Sequence, residues 1–193
     1  MIDTIARATV RIAVTLLVVV ASATVCAAAS SRPSKTTSAP AAGKKYISKR
    51  YGYSIVLRGK YVLVPAKLQW DGRFPFGDTG QVDLIAGVYI DYKFAVAAKP
   101  VPAGMTLSEW EAFVVKVQRQ QCNGRRNFRA TSLGGEPARE FVNDCPSYRV
   151  ITLAALHNGR GYLINHLSEP TSNAAADRRN YDAGRRSFHF TQK

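Results

Sequence analysis

Short apolar runs separated by turn residues predict β-strands from residue 51 onward. The runs 51–57 and 61–65 are rich in Tyr, Ile and Val, and Arg58–Gly59–Lys60 separates them. Such residues favour the half-buried surface of a pleated strand. Residues 82–94 predict one long strand or two short ones, with Gly87 as a candidate bulge. The domain is therefore expected to open with a meander of strands.

The clearest predicted element is a helix that begins near residue 106. Thr106–Leu107–Ser108–Glu109 fits a capping box, in which the threonine hydroxyl and the glutamate carboxylate satisfy free amides at the helix start. Apolar residues then recur at steps of three and four, which is typical of a helix packed on one face. These residues are Leu107, Trp110, Phe113, Val114 and Val117. The helix is expected to end before Cys122–Asn123–Gly124.

Two β-hairpins are predicted after this helix. Gly134–Gly135 and Asn158–Gly159 each lie between apolar runs, and these residues tolerate the positive φ angles of a two-residue turn. In the second hairpin this turn places Leu153 opposite Ile164. Both faces of that hairpin are largely apolar, so we expect this part of the sheet to be covered on both sides.

A closing helix over Thr171–Arg185 and a final short strand, Ser187–Phe190, complete the predicted pattern. The order is strands, helix, strands, helix and strand, with hairpins dominating. This order indicates an α+β domain built on an antiparallel β-sheet flanked by helices.

The first 29 residues are predicted to be a signal peptide, not a part of the fold. Arg7 and Arg11 precede the uncharged apolar run 12–21, and small residues around Ala27 and Ala29 suit signal peptidase. Cleavage near either alanine would leave a periplasmic or secreted protein.

Two alternatives to cleavage remain for this segment. Its apolar stretch is close to the shortest length that spans a bilayer, which allows an uncleaved membrane anchor. Cys26 could be lipidated, although Val25 is bulky where such signals want a small side chain. Residues 30–45 are rich in Ser, Thr, Pro and basic residues and are predicted to be a disordered spacer. The folded domain is expected over residues 46–193.

The mature chain would keep two cysteines, Cys122 and Cys145. We predict that they form a disulfide, because compartments outside the cytoplasm are oxidising. The register of the Gly134–Gly135 hairpin supports this pairing independently. Extended outward, it places position 122 opposite position 147, within two residues of Cys145.

Net charge is the other strong feature of the composition. The chain has 27 Lys and Arg against 13 Asp and Glu, a formal charge of +14. Such an excess favours anionic partners. We expect an anionic envelope polymer or lipid headgroups, or a protein partner, and not nucleic acid. A membrane is expected only if the N-terminal segment is retained, and the alternative is that the charge serves solubility alone.

Several short motifs follow one another along the domain. They are the tyrosine-rich opening 46–55, the MTLSE of 105–109, the SLGGEPA of 132–138, the GYLI of 161–164 and the SFHF of 187–190. Together with the order of elements, they resemble the PsbP-like superfamily over about residues 46–191. The resemblance implies an α/β/α sandwich with an accessory or binding role that is not enzymatic. It supplies no shared active-site residues, and the usual P-x-G-W motif has only a partial counterpart in Val64–Trp70.

No catalytic residue, metal ligand or cofactor is predicted. The histidines His157, His166 and His189 are not spaced for a shared metal or general-base site. Asp71–Gly72 and Asp78–Thr79–Gly80 fit no standard calcium loop, and turn residues explain them more simply.

Two surfaces are candidates for partner binding. In a loop rich in Gly and Pro, Phe74 and Phe76 lie beside Arg73, a combination that suits a contact surface. The pairs Arg178–Arg179 and Arg185–Arg186 are seven residues apart, which places them on neighbouring stripes of the last helix. Such arginines can bind phosphate or carboxylate groups, and the alternative is an ordinary solvated helix face.

The sequence therefore predicts an exported, non-enzymatic accessory or binding protein of PsbP-like fold. It would contact an anionic envelope component or a protein partner. One alternative is a periplasmic immunity or inhibitor protein that acts against a toxin. Another is a hydrolase whose site is assembled from scattered residues.

Overall fold

The computed structural model describes residues 43–57, 61–73, 80–87, 92–119, 127–145, 148–168 and 174–191, which all lie in one compact unit, Pro40–Lys193. The predictions for residues 1–42 lie outside the described residues. The described ranges contain the following elements: β1 (Lys44–Ser48), β2 (Tyr53–Leu57), β3 (Tyr61–Val64), β4 (Asp83–Gly87), β5 (Tyr92–Pro100), α1 (Leu107–Arg119), β6 (Arg129–Leu133), β7 (Glu136–Asp144), β8 (Arg149–His157), β9 (Arg160–Ser168), α2 (Ala174–Ser187) and β10 (His189–Phe190).

The strands form two antiparallel sheets. A seven-stranded sheet has the order β3-β4-β5-β9-β8-β7-β6, and a three-stranded sheet has the order β1-β2-β10. The helix α1 packs on β7 and β8, whereas α2 packs on β2 and β9. Along β9, Asn165 accepts a hydrogen bond from Gln118 of α1 at 2.8 Å, while its neighbour His166 contacts the ring of Tyr181 of α2. Because successive strand residues face opposite ways, the two helices lie on opposite faces of the large sheet.

The structure confirms the predicted α+β class and the local elements that carried it. Asn158 and Gly159 have φ angles of 46° and 68°, as a type I′ turn requires, and Leu153 pairs with Ile164. Both residues are buried on one face, and the next pair, Ala154 and Leu163, is buried on the other, so this hairpin is covered on its two faces. The turn at Gly134 likewise sets the register of β6 and β7.

The capping box of α1 is also confirmed. The backbone amide of Thr106 donates to the Glu109 carboxylate at 2.7 Å, and the Glu109 amide donates to the Thr106 hydroxyl at 3.2 Å. The apolar stripe faces the sheet, where Trp110, Val114 and Val117 are buried.

Several element boundaries differ from the predictions. The spacer was expected to end at Lys45, but β1 begins at Lys44 because its backbone pairs with β2. Residues 82–94 contain two strands, and the register shifts between Ile85 and Ala86, not at Gly87. The helix α2 extends to Ser187, which leaves a two-residue final strand. Its predicted start, Thr171, lies outside the described residues.

Candidate functional site

A cleft of about 580 Å³ opens beside β1, where the small sheet meets the segment that follows β3. Residues 46–50 line one wall, and Pro65, Ala66 and Gln69 line the other. The side chain of Asp83, from β4, is buried between them. The cleft thus joins three parts of the chain that are far apart in sequence.

The buried Asp83 carboxylate holds these parts together. One oxygen accepts the backbone amide of Ala66 at 2.7 Å, and the other accepts the hydroxyl of Tyr53 at 2.9 Å. Burial, and then the charge of Asp83, raise the pKa of Tyr46 and of Tyr53 well above the ordinary value. Both hydroxyls therefore stay protonated, and the Tyr46 hydroxyl can also donate to Asp83. The role of Asp83 at the cleft is to fix its walls.

Two arginines bridge the walls from the solvent side. Arg50 donates to the carbonyl oxygens of Ala66 and Lys67, at 3.1 and 2.6 Å. Arg160 donates to the carbonyl of Arg50 at 3.4 Å and to the side-chain oxygen of Gln69 at 3.2 Å. Since all four acceptors are neutral, these hydrogen bonds leave both guanidinium charges uncompensated.

Lysines add to this positive charge. Lys49 lines the first wall and Lys67 follows Ala66 of the second wall, and both lysines are exposed. No carboxylate in the described part of the chain lies within 4.0 Å of Lys49, Arg50, Lys67 or Arg160. We call these four residues the basic rim of the cleft.

The arginines predicted on the last helix have a different setting. Arg178 contacts Glu140 at 2.8 Å and Asp182 at 3.1 Å. Arg185 lies 3.6 Å from Asp182 and also donates to the Ser132 carbonyl at 3.0 Å. These two arginines are used within the fold.

Arg179 and Arg186 of the same helix are exposed to solvent. The structure therefore divides the predicted arginine surface into two inward and two outward side chains. A binding role for these four residues stays a prediction.

The predicted aromatic loop is described only in part. The side chain of Arg73 is 88% exposed and lies 4.0 Å from Asp71, while Phe74 and Phe76 lie outside the described residues. Trp70, which precedes them, is buried and meets the Trp110 ring edge-on, with 6.2 Å between centroids. Trp70 thus belongs to the core.

Of the two cysteines in the predicted disulfide, the structure describes only Cys145. Cys145 follows β7, and its amide donates to the carbonyl of Tyr148 at 2.8 Å. Cys122 lies outside the described residues, so the pairing stays a prediction.

The three histidines lie in different surroundings. His157 lies 2.9 Å from Glu136 and stacks on Phe190, with 4.1 Å between ring centroids. His166 is buried beside Phe94, and His189 is exposed. Within the described ranges, no group of His, Cys, Asp and Glu side chains is arranged to hold a metal ion. Neither α1 nor α2 is a helix that could cross a membrane.

The basic rim was not predicted from the sequence. Lys49 and Arg50 are adjacent in the chain, but Lys67 and Arg160 come from distant segments. Only the pairing of the strands brings them together, so no local spacing marks this site. The dibasic pair after β1 was the one signal available.

Solved structures with the same architecture are known. The solution structure of cyanobacterial PsbP (CyanoP) from Synechocystis sp. PCC 6803 matches with a TM-score of 0.55 at 15% identity, covering 82% of this chain and 98% of the other. The crystal structure of LpqN, involved in cell envelope biogenesis of Mycobacterium tuberculosis, matches with a TM-score of 0.51 at 10% identity, covering 78% and 86%. No family model matches the sequence, and the comparison with curated proteins finds no significant match. At these identities the similarity establishes the fold alone: the protein has the PsbP-like fold that its sequence motifs predicted.

Proposed function

We propose that this protein is an exported, non-enzymatic accessory protein that binds an anionic component of the cell envelope. The observation that carries the proposal is the basic rim. Lys49 and Arg50 line the cleft, Lys67 follows the lining residue Ala66, and Arg160 donates to Arg50 and to Gln69. None of the four has a described carboxylate within 4.0 Å. Export is supported by the predicted signal peptide. The solved structure of LpqN, described as involved in cell envelope biogenesis, is consistent with this setting.

The use of the polar groups in the cleft favours binding over catalysis. Asp83 accepts hydrogen bonds from the amide of Ala66 in the second wall and from the hydroxyl of Tyr53 in β2, and Ser48 accepts the amide of Tyr51 at 3.2 Å. Gln69 donates to the carbonyl of Ala98 and accepts from Arg160. Side chains whose polar atoms are already hydrogen-bonded within the fold are poorly placed to act as a nucleophile or general base, because such a group must reach a reacting atom of the substrate.

The rim is expected to bind through its charge. A Lys or Arg near an anionic surface contributes about 1 kcal/mol, and salt screens this attraction. Reversing the charge of two exposed lysines should therefore weaken binding by at least about 30-fold. Lys49 and Lys67 suit this change because no hydrogen bond from either ammonium group is seen among the described residues.

The test measures retention of the protein by anionic probes at low and high salt. The probes are immobilised polyphosphate, immobilised polyglutamate and vesicles that contain phosphatidylglycerol. Lys49→Glu combined with Lys67→Glu should abolish retention, whereas Lys116→Glu with Arg119→Glu, at the exposed end of α1, should reduce it little. Both double variants change the net charge equally.

Equal losses in the two double variants would show that only net charge matters and would overturn the cleft as the site. The pair Arg179→Glu and Arg186→Glu provides a third arm. If this pair alone abolished retention, the binding surface would be α2. Failure of the unaltered protein to bind any of the probes would overturn the proposed function itself.

A further inference from the structure

Two exposed aliphatic residues belong to the two chain segments that form the walls of the cleft, close in sequence to cations of the basic rim. Ile47, which lines the first wall, is 53% exposed, and Leu68, which lies between Lys67 and the lining residue Gln69, is 57% exposed. Exposed apolar side chains gain free energy when another surface covers them. Their position beside Lys49 and Lys67 combines apolar and cationic groups at one opening.

The segment that leads into the second wall continues this character. On β3, Val62 and Val64 are 56% and 38% exposed. The Tyr61 hydroxyl of the same strand donates to the carbonyl of Lys44 at 3.1 Å, so β3 lies beside the first strand of the small sheet. Lys44 and Lys45 are exposed there and extend the positive charge.

The hydrogen-bonding groups of the cleft argue against a small polar ligand. Specific recognition of a sugar or a soluble acid needs directional donors and acceptors that remain available. Here Asp83 and Ser48 are 1% exposed and already bonded, and Gln69 is bonded at both ends of its amide. What the opening offers to a partner is point charge and aliphatic surface.

That combination fits the boundary of an anionic bilayer. Headgroup phosphates attract Lys and Arg, and aliphatic side chains gain by entering the acyl boundary beneath them. Lysine and arginine stems can lie along apolar surface while their charged ends stay with the headgroups. We propose that the anionic component bound by this protein is a lipid surface, which it contacts peripherally through Ile47, Leu68 and the basic rim.

This inference rests on the proposed function and narrows it to one partner. It requires contact at the surface only and does not depend on retention of the N-terminal segment. It also distinguishes a bilayer from a soluble polyanion, which a purely electrostatic contact would not do. A soluble polyanion engages the cations, whereas a bilayer engages the cations and both aliphatic side chains.

The experiment compares vesicles with soluble polymers, using the chain from residue 30 onward. Co-sedimentation is measured with phosphatidylcholine vesicles, with and without phosphatidylglycerol, and retention is measured on polyphosphate. Ile47→Ser with Leu68→Ser should lower partition onto anionic vesicles by about tenfold, since two aliphatic groups lose their burial. Polyphosphate binding should be unchanged. Phe128→Ser, which alters an equally exposed apolar residue far along the chain, should change neither.

A second measurement uses the unaltered protein. At a salt concentration that releases it from polyphosphate, part of the vesicle binding should persist, because burial of apolar groups is not screened. Binding to polyphosphate without binding to vesicles would overturn the lipid inference and leave the proposed function standing. Unchanged vesicle binding by the Ile47→Ser and Leu68→Ser variant would also overturn it. If polyphosphate, polyglutamate and vesicles all fail to bind, both proposals fall.

Discussion

The carboxylate of Glu140 joins three elements of the fold, and replacing it tests how α2 is held on the sheet. Glu140 lies on β7 and is 1% exposed. It accepts hydrogen bonds from Arg129 of β6 at 3.1 Å, from Arg178 of α2 at 2.8 Å and from the hydroxyl of Tyr181 of α2 at 2.8 Å. Burial raises the pKa of Tyr181 far above its ordinary value, so the hydroxyl remains a donor. We predict that Glu140→Gln destabilises the folded state.

The size of the effect follows from the exposure of the partners. Removing one member of a fully buried ion pair costs about 3–5 kcal/mol, because the remaining charge stays out of water. Here the side chains of Arg178 and Arg129 are 32% and 51% exposed, so water can partly replace the carboxylate. Tyr181 is fully buried, and a weakened hydrogen bond to its hydroxyl costs about 1–3 kcal/mol. We therefore expect a loss of about 2 kcal/mol for Glu140→Gln and about 3 kcal/mol for Glu140→Ala, which also leaves a cavity.

Urea denaturation followed by circular dichroism measures this loss. The midpoint should fall without a change in slope, because the surface exposed on unfolding stays the same. A matched control is Glu111→Gln, since Glu111 pairs with Arg139 at 3.3 Å and both side chains are partly exposed. The control should lose less than about 1 kcal/mol. If Glu140→Gln lost no more than the control, the assignment of Glu140 as the tie between β7 and α2 would be refuted.

Three further predictions concern the core and the cysteines. Burial, and then the charge of Asp83, raise the pKa of Tyr51 from 10.0 to about 12, so the stability that it contributes is complete below pH 10.0 and is lost as pH rises through about 12. The urea midpoint should therefore fall between pH 10.0 and about 12, and an equal fall in Tyr51→Phe would contradict this. A Cβ at Gly184 would lie 2.5 Å from the Phe94 ring, so Gly184→Ala should lower the free energy of unfolding by about 1–3 kcal/mol. In a double-mutant cycle, Phe94→Leu should relieve part of this loss, whereas simple additivity of the two changes would argue against the clash. The predicted disulfide should stabilise the fold by about 3 kcal/mol, so Cys145→Ser should lower the urea midpoint. An equal urea midpoint with and without reductant in the unaltered protein would exclude the pairing of Cys145 with Cys122.

Parts of this fold could be predicted from the sequence because they depend on contacts between residues close together in the chain. The turn at Asn158–Gly159 needs two residues with positive φ, and few residue pairs other than Asn-Gly adopt that geometry easily. The start of α1 needs acceptors for free amides, and Thr106 and Glu109 supply them within four residues. In both cases the determining contacts lie close together in the chain.

Elements that depend on distant partners were not readable in this way. Lys44 and Lys45 have no strand character of their own, and they become β1 because β2 offers an edge to pair with. The alanines of β5 are poor strand formers, yet Ala97 and Ala98 are buried where β5 pairs with β9. Tertiary pairing overrides propensity at both places.

The inward arginines of α2 had a local signal that was available. Asp182 follows Arg178 by four residues and precedes Arg185 by three, which are the spacings of ion pairs along a helix. These spacings indicate that Asp182 partly neutralises the charges of both arginines. The buried Glu140, from a different element, could not have been inferred from spacing.

The contrast between α2 and the cleft shows that the basic residues of this protein differ in their acidic partners. A formal charge of +14 describes the whole chain and assigns the charge to no surface. On α2, acidic residues of the fold face Arg178 and Arg185, so these charges mainly stabilise the packing of the helix. At the cleft, the hydrogen-bond acceptors of Arg50 and Arg160 among the described residues are neutral carbonyl and amide oxygens, which do not offset the attraction of these arginines for an anion. It is therefore the distribution of acidic partners, and not the number of basic residues, that singles out the cleft.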